Sequence, residues 1–161
     1  MSDEIQNGTE TGKEQEVQYP YVVRGAKIYC TRGSHIRKLD MPASHGAYIR
    51  DKAMMNEKDC KVGIEQNIPP FGACFSENKD GKDIIINDAK DLVQCTDENG
   101  NPVNPQLPIE GKLCEPKFTT QWQGAQEDTL VDGKPALNVN CSITCSYGGT
   151  ITFMDSGQEV Y

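Results

Sequence analysis

The chain has 161 residues, 16 Lys and Arg against 24 Asp and Glu for a formal net charge of −8, and only 36% apolar residues, seven cysteines included. Its length predicts one domain and its composition a thin hydrophobic core. The acidic balance without a basic cluster opposes wrapping a nucleic-acid backbone, since that affinity comes mainly from Lys and Arg neutralising phosphates, and no nucleic-acid partner is expected; no apolar run approaches the roughly 20 residues of a membrane helix, and Met1-Ser2-Asp3-Glu4 does not open like a signal peptide, so neither a spanning nor a classically secreted chain is expected.

Residues 1–18 hold five acids (Asp3, Glu4, Glu10, Glu14, Glu16) and one base (Lys13), about half of the net charge, and predict a disordered acidic tail before a domain over residues 19–161. The composition then changes to short β-type runs, Tyr21-Val22-Val23 and Ala26-Lys27-Ile28-Tyr29, punctuated by Gly25 and Gly33. Met41 to Lys61 is polar without a sustained 3.6-residue apolar period and reads as loop with one short helical turn. Six of the nine prolines fall between Asn67 and Pro116, where they remove backbone donors and fix φ; this span reads as irregular, with Ile84-Ile85-Ile86 as its one firm strand. Thr129-Leu130-Val131, the turn signal Asp132-Gly133, and Pro135-Ala136-Leu137-Asn138-Val139 predict a hairpin, and Thr150-Ile151-Thr152-Phe153 follows Gly148-Gly149 as a last strand. No apolar stripe supports a long helix. The fold class is therefore mainly β, with short strands and long irregular loops.

Cysteine carries the chemistry. Seven thiols without an export signal are more often metal ligands or catalytic groups than disulfides, and the odd number would leave one unpaired. They stand at Cys30, Cys60, Cys74, Cys95, Cys114, Cys141 and Cys145, with no C-x-x-C pair to present two thiolates from one turn; the nearest pair is Cys141-x-x-x-Cys145. A faint repetition nevertheless places four of them alike. Cys30-x-x-Gly33 and Cys145-x-x-Gly148 each follow a strand, and Cys74 and Cys114 each follow a Pro/Gly turn. A converging metal site and four small buried hydrophobes are both open readings of that pattern. A Cys/His hydrolase using His35 or His45 is a third, opposed by the absence of a strand-to-helix elbow around any cysteine. Glu127-Asp128 reads as a solvated turn, Trp122 as packing under the closing hairpin, and Gly148-Gly149 lacks the following helix that a phosphate loop needs.

Motifs in order along residues 19–158 carry a resemblance: Val23-Arg24-Gly25-Ala26-Lys27-Ile28-Tyr29-Cys30, Asn67-Ile68 with Phe71-Gly72-Ala73-Cys74, Cys114-Glu115-Pro116 with Trp122, and Leu130-Val131-Asp132-Gly133-Lys134-Pro135-Ala136-Leu137 closing with Cys145-Ser146-Tyr147-Gly148-Gly149-Thr150-Ile151. The chain resembles the PAAR-like branch of the PAAR-repeat spike-tip proteins. The resemblance implies a small, compact, cone-like β domain held by a metal staple. It further implies a non-enzymatic tip capping a trimeric VgrG-like β-helical spike of a contractile injection or type VI secretion machine, aiding puncture of a target membrane and able to attach effector cargo. A tip of this kind assembles in the cytoplasm and is then delivered outward on the spike. Family members fix a metal near the apex, usually zinc, with iron as the other candidate. The four turn-placed thiols Cys30, Cys74, Cys114 and Cys145 are the leading ligands here, and His35, His45 and Cys141 the alternatives. Family members mix histidine with cysteine at this site, whereas each matched turn here offers cysteine. Val22, Ile151 and Phe153 are the expected apolar contacts with the spike, one chain meeting the three-fold axis. The chain stops soon after the closing motif, so any cargo is expected to bind non-covalently, and a cytosolic Cys-rich metal-binding adaptor is the rival reading.

Overall fold

The computed structural model describes residues 19–159, so the expected acidic tail over residues 1–18 lies outside it. Thirteen short strands and no helix occur among the described residues: β1 (Lys27–Cys30), β2 (Arg37–Lys38), β3 (Tyr48–Ile49), β4 (Lys52–Ala53), β5 (Ala73–Cys74), β6 (Asp83–Ile86), β7 (Cys95–Thr96), β8 (Pro102–Val103), β9 (Ile109–Leu113), β10 (Gln126–Val131), β11 (Lys134–Ala136), β12 (Ile143–Thr144) and β13 (Thr150–Phe153). The mainly β expectation holds. The largest sheet has the order β12-β13-β1-β2, and a second has the order β5-β9-β6; β3-β4, β7-β8 and β10-β11 are two-stranded. All named pairings are antiparallel. The largest sheet pairs an early strand with the last one, Ile28 opposite Phe153 and Cys30 opposite Ile151.

Turn chemistry explains where sequence and structure agree. Asp132 and Gly133, at φ 53° and 78°, join β10 to β11 in the left-handed region that a two-residue hairpin with the right twist requires. In place of the helical turn expected in residues 41–61 there is a second hairpin, β3-β4. Its turn residues Arg50 and Asp51 have φ of 50° and 67°, a conformation that Arg does not advertise in a sequence. Val22 and Val23 make no strand: Val23 has an isolated bridge to Met54, and the Val22 N–H donates to the Leu137 carbonyl. The proline-rich middle holds five strands, β5 to β9, where one firm strand is expected. β9 lies between β5 and β6 and supplies the partner for Ile84-Ile85-Ile86.

The core is small and aromatic at one end. Trp122 is 1% exposed, stacks on Phe153 at 4.9 Å between ring centroids, and donates its indole N–H to the Asp59 carbonyl at 2.9 Å. Trp122 is thus packed inside as expected, its ring partner being Phe153 of β13 rather than the hairpin. Phe71, Ile28, Leu39, Met55, Ile68, Leu137, Ile143 and Ile151 fill the rest. Val22 and Ile151 are wholly buried, and Phe153 is engaged by Trp122. Val22 and Ile151 therefore serve as core and offer a spike no free surface, which corrects the expectation that they form the contact face. The thin core explains it: where apolar residues are few, the interior claims them first.

Candidate metal centre: four thiols on one pocket

The four turn-placed cysteines come together. Cys30 ends β1, Cys74 ends β5, Cys114 follows β9 and Cys145 follows β12. All four line one narrow pocket whose open space is only about 10 Å³, along with Arg32, Phe71, Lys79, Glu115, Tyr147 and Ile151. The repetition seen in sequence is a repetition of backbone geometry. The Gly33 N–H donates to the Cys30 carbonyl at 3.0 Å, and the Gly148 N–H donates to the Cys145 carbonyl at 2.9 Å, so each Cys-x-x-Gly unit closes the same turn. Gly33 also bridges to Cys74, and the Cys114 N–H donates to the Gly72 carbonyl at 2.9 Å, tying the other two thiols to these turns. Gly149 is required by close approach: a Cβ there would collide with Cys30 Sγ.

Burial dominates the electrostatics of the pocket. It pushes the thiols of Cys30 and Cys114 up to about 12, with the neighbouring thiols adding to the rise. Cys74 is raised for the same reason, while Lys79 and Arg32 pull it the other way. Lys79 is an unusual lining group. Its side chain is 1% exposed, its Nζ stands 3.1 Å from Glu115 Oε1, and it lies 4.9 Å from the centroid of the Tyr147 ring. Burial disfavours its charge, but the Glu115 carboxylate outweighs burial and the net shift is upward.

The alternative ligands lie elsewhere. His35 is buried with both ring nitrogens engaged, Nδ1 with Ser34 Oγ at 2.6 Å and Nε2 with the Asp88 carbonyl at 3.0 Å. His45 sits between two carboxylates, Nε2 at 3.0 Å from Asp59 Oδ1 and Nδ1 at 3.0 Å from Asp132 Oδ2. Cys141 is buried beside Asn138, whose N–H donates to its sulfur at 3.4 Å. None of the three lines the thiol pocket. Cys60 packs half-buried against the core and the Cys95 thiol faces the Val103 carbonyl, so both also stand apart. All seven cysteines are free thiols, and among the described residues no hydrogen bond joins a thiol to either histidine.

The four thiols suit a soft or borderline cation, and the one carboxylate on the same wall, Glu115, is engaged by Lys79. The thiols are not closed onto a common centre, however. Among the described residues no group of three or more His, Cys, Asp or Glu side chains is arranged to hold a metal ion, so the expected metal staple is not present as a formed centre.

No curated protein and no solved structure matches the chain. A family profile does match, over residues 22–158, spanning every strand and all four pocket thiols. The chain belongs to that family, the domain of unknown function DUF4280.

Proposed function

We propose that this protein is a non-enzymatic tip that caps a trimeric spike in a phage-tail-like contractile injection machine. In this reading its turns are stapled by one metal ion on Cys30, Cys74, Cys114 and Cys145. The observation that carries the reading is the arrival of four thiols from four separate turns at one pocket in a chain with so little apolar core. A structural ion of this kind contributes to folding directly, on the order of 10 kcal/mol in small domains, which is the deficit a thin core leaves. Zinc fits four thiolates, and iron is the other candidate. Four thiolates and a dication would carry a formal charge of −2. Arg32 and the buried Lys79 on the pocket wall would offset it. The resemblance of the ordered motifs to PAAR-like tips supplies the partner, a VgrG-like trimer, and delivery on the spike after assembly in the cytoplasm.

Two measurements test the reading. Elemental analysis of folded protein should find about one zinc or iron per chain; folded protein with none removes the staple. Mixing with the cognate spike trimer should give one chain per trimer. No binding, or three chains per trimer, would favour the metal-binding adaptor instead.

A further inference from the structure

β6 is an edge strand: it pairs with β9 on one side, and no described residue pairs with the other. The direction of its free groups follows from the ladder. The Leu113 N–H donates to the Lys82 carbonyl, so Lys82 faces β9. Backbone groups alternate along an antiparallel strand, so the N–H and C=O of Asp83 and Ile85 point outward, without a backbone partner among the described residues, and continuation of the strand would place those of Asn87 likewise. The side chains are equally unguarded. Ile85 is 66% exposed on one face. On the other, Ile84 and Ile86 line an apolar groove with Ile64, Pro69, Pro70 and Leu113, and Ile64 is 79% exposed. Natural edges are usually blunted by charge, proline or a bulge; β6 has no proline and no bulge, and the charges Lys82 and Asp83 stand at one end of three consecutive isoleucines.

The stretch Lys82-Asp83-Ile84-Ile85-Ile86-Asn87-Asp88 is also complementary to itself. Laid antiparallel about a two-fold axis at Ile85, it sets Ile85 opposite Ile85 in a hydrogen-bonded pair, Ile84 opposite Ile86, Asp83 opposite Asn87, and Lys82 opposite Asp88. Each acidic end of one strand thus meets the single base of the other, twice by symmetry, and Lys82 and Asp88 are both exposed. We infer that the free protein self-associates through β6, two copies joining their β5-β9-β6 sheets into one six-stranded sheet with the two apolar grooves on a common face. No residue of β6 lines the thiol pocket, so this surface stands independently of the staple proposed above.

The test is the mass of the full chain over a rising concentration series at physiological ionic strength. A particle approaching twice 17.8 kDa is expected. Ile85→Lys should abolish it. Lys82→Glu replaces both attractive pairs with repulsive ones and should raise the dimer Kd at least about tenfold. Lys82→Glu combined with Asp88→Lys should recover the dimer, a result that a merely damaged fold cannot give. A chain that stays monomeric throughout overturns the inference. So does a dimer indifferent to both Ile85→Lys and Lys82→Glu. So does a monomer whose Ile85→Lys variant loses the spike trimer, since the edge would then belong to a different partner.

Discussion

The thiol pocket and the His45 cluster both tie loops together with polar side chains, and they do so by opposite means. In the pocket the groups are alike; burial favours the neutral thiols of Cys30, Cys74 and Cys114, and neutral thiols attract one another little. At His45 the groups are unlike and complete. A neutral imidazole has one N–H, yet both ring nitrogens here stand 3.0 Å from carboxylate oxygens, so the arrangement is satisfied only by the imidazolium. Asp59 in turn accepts the Asn56 N–H at 2.7 Å, and Asn56 donates to the Val131 carbonyl, which extends the clamp to β10. One cluster carries its own counter-charge. The other has no charge of its own to pair, and in the proposed reading a metal ion supplies the link.

That contrast can be broken at the pocket first, where the largest effect is expected. Cys145→Ser should lower stability by several kcal/mol relative to Cys60→Ser in metal-replete buffer, measured by thermal denaturation, because only the first removes a ligand of the proposed staple. Equal melting temperatures would show that the pocket holds nothing together. Gly149→Ala should follow, at about 1–3 kcal/mol, because the added methyl group meets the Cys30 sulfur and one of the two has to move.

The clamp gives the smallest and most pH-dependent effect. Burial pulls the His45 pKa down, but the Asp59 and then the Asp132 hydrogen bonds and charges outweigh it, so the folded value lies above the ordinary 6.5. Raised folded affinity for a proton stabilises the fold fully below pH 6.5, and the contribution fades as pH rises through the raised value. Urea denaturation at a series of pH values should show that slope in the native protein and not in His45→Gln, with a difference of about 1 kcal/mol at the acid end. Asp59→Asn should remove more of it than Asp132→Asn, since their side chains are 10% and 67% exposed. A slope unchanged in His45→Gln would mean that other groups set it.

The pocket was more legible than the fold around it. Cys-x-x-Gly after a strand is a local pattern, and it describes a real turn at both Cys30 and Cys145. β9 was missed because Glu110, Gly111 and Lys112 have poor strand preference, and β9 is a strand only because β5 and β6 flank it. The β3-β4 hairpin was missed because left-handed Arg50 and Asp51 are imposed by tertiary structure. Val22 and Ile151 were recognised as apolar, but sequence alone could not say that the interior had room for them. The His45 clamp left no trace either, because its carboxylates come from 14 and 87 residues away.

The pairing of β1 with β13 also governs when the molecule can finish. Ile28 and Phe153 are opposite each other although 153 − 28 = 125 positions separate them. Contacts of such long range slow folding, since the entropy of closing the loop opposes them before they return any stabilisation. A chain emerging from the ribosome has Cys30, Cys74 and Cys114 out well before Cys145 and β13. Until those arrive, the first β-strand has no main partner and three thiols remain open to oxidation or to the wrong ion. Loading of the proposed staple would thus follow synthesis, after an interval in which its yield depends on how reducing the surroundings stay.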